Sequence, residues 1–282
     1  MALKIPVEDR VSTYPGRVKL IPVSGETNTY DMVRADDPIS VGTPINKELL
    51  DNKAYTLKQD AIVYVATGGS DSNGDGSVDA PYKTIQKAID SIPKHLGGHT
   101  AEISISFGVY AERVVVKGFS SGKLVVGRPG EVFIVDGIEI NDSSFVETNI
   151  YQIDRPTGSS LPLFLAKDGS NVRINSNMTL DGLDMGINGV MVENNSHVVA
   201  SPNTVLTVNN CGATILAQWC SFVSVNTITG TGNMIGMSAS QGSIISYKTD
   251  TTSKMWSNLA DTGGLVLTGQ NSSDLSDATL DL

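Results

Sequence analysis

Gly169-Ser170-Asn171-Val172, Asn195-Ser196-His197-Val198, Cys220-Ser221-Phe222-Val223 and Gly242-Ser243-Ile244-Ile245 set a serine in one apolar frame four times. The serine returns roughly every 22 to 26 residues, a period that signals a solenoid or repeat array. Gly189-Val190-Met191-Val192, Gly212-Ala213-Thr214-Ile215 and Gly232-Asn233-Met234-Ile235 form a second matching set between the serine frames. Alternating runs such as Val190-Val192 and Val223-Val225 are strand signals. One unit per turn, stacked on the next, predicts a parallel β-helix. A catalytic serine is needed once, so four in register read as a column of small polar residues hydrogen-bonding at a coil corner.

The strand-and-turn pattern extends from Ala101 to about Tyr247, with Ile103, Ile105 and Phe107 alternating early on. Residues 148–162 interrupt it around Asp154-Arg155-Pro156-Thr157-Gly158, which reads as a loop excursion where function can sit. Before the coils, Ile62-Val63-Tyr64-Val65 is a strand, and Ile85, Ala88, Ile89 and Ile92 mark one face of a helix near 83–93. Such a helix suits the open end of a coil, as a cap over exposed backbone groups. Residues 1–60 read as a small separate unit: a strand over Gly16–Val23 pairs with Thr29–Arg34 across a polar turn, and a short helix follows Pro44. The β-helix is placed at 61–250, and 251–282 is read as a C-terminal cap or tail.

The 282 residues carry a formal net charge of -10, and beyond Arg173 the only cations are Lys248 and Lys254. Nucleic acid is excluded as a partner because counterion release requires a basic stripe. Membrane insertion is excluded because no apolar run approaches the roughly 20 residues of a span. The first ten residues lack the apolar core of a secretory signal, so synthesis and first folding in a bacterial cytoplasm are expected. Cys211 and Cys220 lack metal-like spacing and read as small buried apolar side chains.

Tyr64-Val65, Gly69, Asp71, Asn73, Gly76, Ser77, Pro81, Tyr82, Thr84-Ile85 and Ala88-Ile89, followed by Gly108-Val109-Tyr110-Ala111-Glu112, resemble the entry segment of the pectin-lyase-like right-handed β-helix superfamily. The resemblance implies a mainly β fold: a right-handed parallel β-helix with an N-terminal cap helix and a small N-terminal attachment domain. Residues 1 to about 50 resemble the attachment region of phage tail-fibre and baseplate proteins. The residues concerned include Val7, Arg10, Tyr14, Arg17, Tyr30, Arg34, Pro44 and Asn46. This second resemblance implies a virion appendage, normally three copies around one axis, joined to other tail, baseplate or capsid proteins through its N-terminus.

Asp71, Asn73 and Asp75 fit the first half of a calcium loop, but Tyr82 stands where a bidentate Glu is required. The calcium match fails there, an ordinary turn before the helix is the favoured reading of these residues, and the sequence calls for no metal or other cofactor. Glycan hydrolysis needs two carboxylates roughly 5 to 10 Å apart. Asp181, Asp184 and Glu193, with Asp168, are the candidates, and Arg173 is the one coil cation near them for a lyase. His197 reads as an outward coil position. The leading expectation is therefore a homotrimeric phage tail-fibre or tailspike-like appendage that contacts a host cell-surface glycan or protein. A glycan-degrading tailspike enzyme and a capsid or neck decoration without receptor are the alternatives.

Overall fold

The computed structural model describes residues 11–12, 18–22, 24, 30–34, 38–40, 56–154, 159–183, 186–256 and 258–268. The chain divides into two compact units, Leu3–Ala54 and a larger one from Tyr55 to Leu282.

In the smaller unit, β1 (Val11–Ser12) pairs antiparallel with β4 (Pro38–Ser40), and β2 (Val18–Pro22) with β3 (Tyr30–Arg34). The β2–β3 hairpin sets Val18 opposite Arg34 and Pro22 opposite Tyr30, the pairing expected from the alternation on either side of a polar turn. Of the attachment residues, Tyr30 and Arg34 end β3. Val7, Arg10, Tyr14, Arg17, Pro44 and Asn46, and the helix expected after Pro44, lie outside the described residues.

The larger unit is a parallel β-solenoid of about six turns. Its strands fall into three lateral faces. Face A stacks β5 (Ala61–Val65), β6 (Thr100–Ile105), β8 (Lys123–Val126), β10 (Val146–Thr148), β13 (Asn171–Ile174) and β16 (His197–Ala200). The first parts of β19 (Phe222–Ala239) and β20 (Ile244–Trp256), then β22 (Leu265–Thr268), continue it. Face B begins with the first part of β7 (Gly108–Lys117) and of β9 (Phe133–Asn141). It continues through β11 (Gln152–Asp154), β14 (Met178–Asp181), β17 (Val205–Asn209) and the middle of β19 and β20. Face C takes the ends of β7 and β9, then β12 (Phe164–Lys167), β15 (Val190–Val192), β18 (Ala213–Ala217), the end of β19 and β21 (Leu259–Ala260).

Strand alternation points every second side chain inward, and parallel stacking lines these up in columns. On face C, Val114, Ile138, Phe164, Val190, Ile215 and Met237 form one column, each no more than 1% exposed. Each such burial contributes roughly 1.5–3 kcal/mol. The serine column lies at the corner between faces C and A and forms a ladder. Ser143 N–H donates to Ser170 Oγ at 3.3 Å, Ser170 to Ser196 at 3.1 Å, Ser196 to Ser221 at 3.4 Å and Ser221 to Ser243 at 3.0 Å. Every one of these serines is buried. Each Oγ thereby satisfies a corner N–H that the strand ladders cannot reach. Ser143 belongs to the column although its frame, Asp142-Ser143-Ser144, escaped the sequence pattern.

The helix expected near 83–93 is α1 (Ile85–Ser91), with Thr84 as N-cap and Ile85, Ala88 and Ile89 buried. Its first N–H groups, on Ile85 and Gln86, donate to the Glu112 carboxylate of β7 at 2.7 and 2.9 Å. The Gln86 amide then mimics a strand partner: Oε1 accepts from Val115 N–H at 2.8 Å, and Nε2 donates to Val115 O at 3.1 Å.

Three expectations are corrected. The coil stacking passes residue 250, since β22 pairs in parallel with β20. Polar inward residues hide this: Asp250 takes the rung of Ile228 and pairs with Lys254 at 2.5 Å, so the apolar rhythm fades while the backbone ladder persists. The interruption at 148–162 is narrower than expected, because β10 ends at Thr148 and β11 lies inside its span. Cys220 is exposed rather than buried, because it occupies a left-handed corner position with φ 59°.

Candidate functional site

The corner between faces B and C carries the insertions. Its connections run from Asp154 to Phe164, from Asp181 to Val190, from Asn209 to Ala213 and from Gly230 to Ile235, and the first two are the long ones. Insertions of a solenoid commonly collect along its binding side. Three large apolar side chains emerge there: Leu161 at 47%, Leu183 at 59% and Met234 at 39% exposure. The return of the longest connection is tied down by Arg113, whose Nη1 donates to Pro162 O at 2.8 Å. Gly137 makes room for it, since a Cβ there would lie 2.5 Å from Arg113 Nη1.

Beside this corner the last outward position of face B is acidic in three successive coils. Asp154 and Asp181 are in register, and Asp136 follows Val135 as Asp154 follows Ile153. Burial and the neighbouring Asp154 push the Asp136 carboxyl above the usual carboxylate range. Asp181 Oδ1 accepts from Leu183 N–H and Asn210 Nδ2, both at 3.0 Å. The candidate acids are thus divided. Asp181 belongs to the face B column, Asp168 sits at the C–A corner accepting from Asn194 Nδ2 at 2.8 Å, and Asp184 lies outside the described residues. Glu193 follows β15 on face C beside Lys167, which bonds Glu139 at 2.9 Å. Burial raises the Glu193 carboxyl against the pull of Lys167, with Asp168 and Glu139 adding to the rise. Asp181 and Glu193 therefore stand on different faces and do not flank one bond. Asp136 and Asp154, the partners that stacking gives Asp181, were legible only in part: Val135-Asp136-Gly137 repeats as Leu180-Asp181-Gly182.

Face A presents a shallow hollow of about 360 Å³ between the Phe145 and Phe222 rows, walled by Asn171, Arg173, His197 and Val199. Arg173 lies over the Phe145 ring at 5.6 Å and 3.9 Å from Glu147, on a different face from Asp181. His197 points outward, edge-on to Phe222 with ring centroids 6.2 Å apart.

The loop of Asp71, Asn73 and Asp75 spends its oxygens on its own backbone. Asp71 accepts from Lys83 N–H at 2.8 Å, Thr84 N–H at 3.0 Å and Thr84 Oγ1 at 2.8 Å, while Asp75 accepts from Ser77 N–H at 2.9 Å. Asn73 enters through its backbone, with N–H donating to Ser70 Oγ at 3.1 Å. Among the described residues no group of three or more His, Cys, Asp or Glu side chains is placed to hold a metal. Burial pushes the Asp71 carboxyl up, but the bonds from Thr84 and Lys83 outweigh it and hold the group below its usual range. A depressed acid stabilises the fold fully above its unfolded value of about 3.9, and that contribution is lost as pH falls through the folded value. Asp71→Asn is accordingly expected to cost about 1–2 kcal/mol at pH 7 and to lose its effect in strong acid, read by urea unfolding at both pH values.

No protein-family model, no curated protein and no solved structure matches the chain.

Proposed function

We propose that this chain is a structural appendage of a phage particle, a tail-fibre or baseplate protein that attaches the virion to its host. Residues 1–60 dock to other tail, baseplate or capsid proteins. The solenoid is a stiff shaft, and three copies share one axis. The helix α1 closes the N-terminal end of the stack, its Gln86 amide occupying the edge of β7. Host contact falls to the corner between faces B and C. The observation that carries this reading is the collection of insertions and exposed apolar side chains, Leu161, Leu183 and Met234, along that one corner. Exposed apolar side chains on the long loops of one corner suit recognition.

A second reading, a glycan-degrading tailspike, draws on one observation. Asp136, Asp154 and Asp181 rise through successive coils, spaced by roughly 4.8 Å per strand, near the separation of about 5–5.5 Å in retaining glycosidases. One experiment separates the two. The purified protein is mixed with host cells, and both bound protein and released reducing ends are measured. Binding without sugar release, weakened at least tenfold in Leu161→Ser/Leu183→Ser, supports attachment. Sugar release abolished by Asp154→Asn supports the enzyme, and no binding to any host surface defeats the attachment reading.

A further inference from the structure

Residues 168–247 contain a single arginine or lysine, Arg173, and a single histidine, His197, and both line the hollow of face A. Parallel stacking makes them diagonal neighbours, since Asn171 pairs with His197 and Arg173 with Val199. The phenylalanines converge on the same place. Of the six, Phe119, Phe133 and Phe164 are buried, and Phe107 follows β6 in the first coil. The remaining two, Phe145 and Phe222, stand at the ends of the hollow. They belong to one outward column, Phe145, Asn171, His197 and Phe222, and so lie three rungs apart. At about 4.8 Å per rung that is roughly 14 Å along the stack.

We propose that this hollow binds an acidic sugar, a pyranose unit bearing a carboxylate, within an oligosaccharide laid along the coil axis. The proposal goes beyond the attachment reading, which places host contact at the corner between faces B and C, and does not depend on it.

Charge selects the acidic part of the ligand. Arg173 is not neutralised by Glu147, because 3.9 Å is beyond hydrogen-bond reach and Glu147 also pairs with Lys123 at 3.2 Å. Two cations around one carboxylate leave a positive charge here, in a chain of net charge -10. The Arg173 side chain is 48% exposed and rests over the Phe145 ring at 5.6 Å, which steadies its planar fork for a carboxylate. One arginine without a basic stripe is too little for a nucleic acid.

Shape and polarity select a sugar. A pyranose ring offers an apolar face of C–H bonds to an aromatic ring and sends its hydroxyls to the rim. The Phe145 and Phe222 rings and Val199, 37% exposed, supply the apolar surface, and the hollow of about 360 Å³ is open enough for a ring to lie flat. Between the rings, the Asn171 amide offers both a donor and acceptors, and the His197 imidazole adds ring nitrogens on an exposed position. An apolar floor with a few convergent polar groups is what a small-ligand site requires.

The test titrates the full chain, by calorimetry and by backbone NMR, with trisaccharides carrying galacturonate, glucuronate or sialate. The neutral galactose and glucose trimers are the controls. At least one acidic trisaccharide binds in preference to the neutral ones, and the amide signals of Asn171, Arg173 and His197 shift. Arg173→Gln weakens that binding at least about tenfold and removes the preference for the acidic sugar, while its unfolding temperature stays that of the native chain. Phe222→Ala weakens binding of acidic and neutral sugars alike, and Leu161→Ser, on the opposite corner, leaves it unchanged. Absence of binding by every acidic trisaccharide, binding indifferent to Arg173→Gln, or shifts confined to another face overturns the proposal. Adhesion to host cells that survives Arg173→Gln leaves the attachment reading standing in each of those cases.

Discussion

Gly230→Ala is expected to destabilise the solenoid by on the order of 3–5 kcal/mol, the largest effect of any single methyl addition in the coils. Gly230 has φ 139°, and a Cβ built on it would lie 1.8 Å from Val208 O and 2.6 Å from Val208 C. Both obstacles are backbone atoms of the neighbouring coil, held in the face B ladder, so no side-chain rotation relieves them. Val208 is fully buried, and a shift at this rung disturbs the dry column beneath it. Gly118→Ala is the control: φ is 74°, but the added Cβ meets nothing within 4 Å. That variant bears only the left-handed strain of about 1–2 kcal/mol. Urea unfolding of the two variants separates steric clash from backbone preference. Equal costs would mean that the coils slide apart freely at Gly230 and that the ladder is softer than its register implies.

Asn233→Ala follows, with an expected cost of about 2–5 kcal/mol. Asn233 is fully buried, its Oδ1 accepting from Cys211 N–H at 3.0 Å and its Nδ2 donating to Val208 O at 2.7 Å. The amide bridges two backbone groups of the coil beside it at a point where the β19–β20 register slips between Gly230 and Asn233. Losing both bonds in a buried corner costs more than either bond contributes net, because the polar groups stay desolvated. Asn233→Asp keeps the acceptor, forfeits the donor and buries a charge, and it is expected to be no better tolerated than Ala. Gly230 and Asn233 both act on the Val208 carbonyl, so Gly230→Ala/Asn233→Ala should cost less than the two singles together. Full additivity in urea unfolding would place the two contacts in independent parts of the coil.

Particular residues show where sequence reading sufficed. The serine frames align in space as they do in the chain: Asn171, His197, Phe222 and Ile244 are consecutive rungs, each just after its serine. The glycine frames do not. Val190 pairs with Ile215 and Ala213 with Ile235, two residues away from the alignment that matching glycines suggests. The slip is even, so every inward side chain stays inward, and the strand reading survives with the wrong rungs. Asp136, Asp154 and Asp181 are separated by unequal stretches of chain and become a column only because the insertion after Asp154 is looped out at the corner.

From its sequence alone the chain is committed to stacked parallel coils with serine corners, because inward alternation and corner chemistry are settled within one turn and its nearest repeat. Which outward residues become neighbours was left to the tertiary structure. That depends on how much chain each corner absorbs, and the lateral faces and the acidic column exist only once the coils are in register.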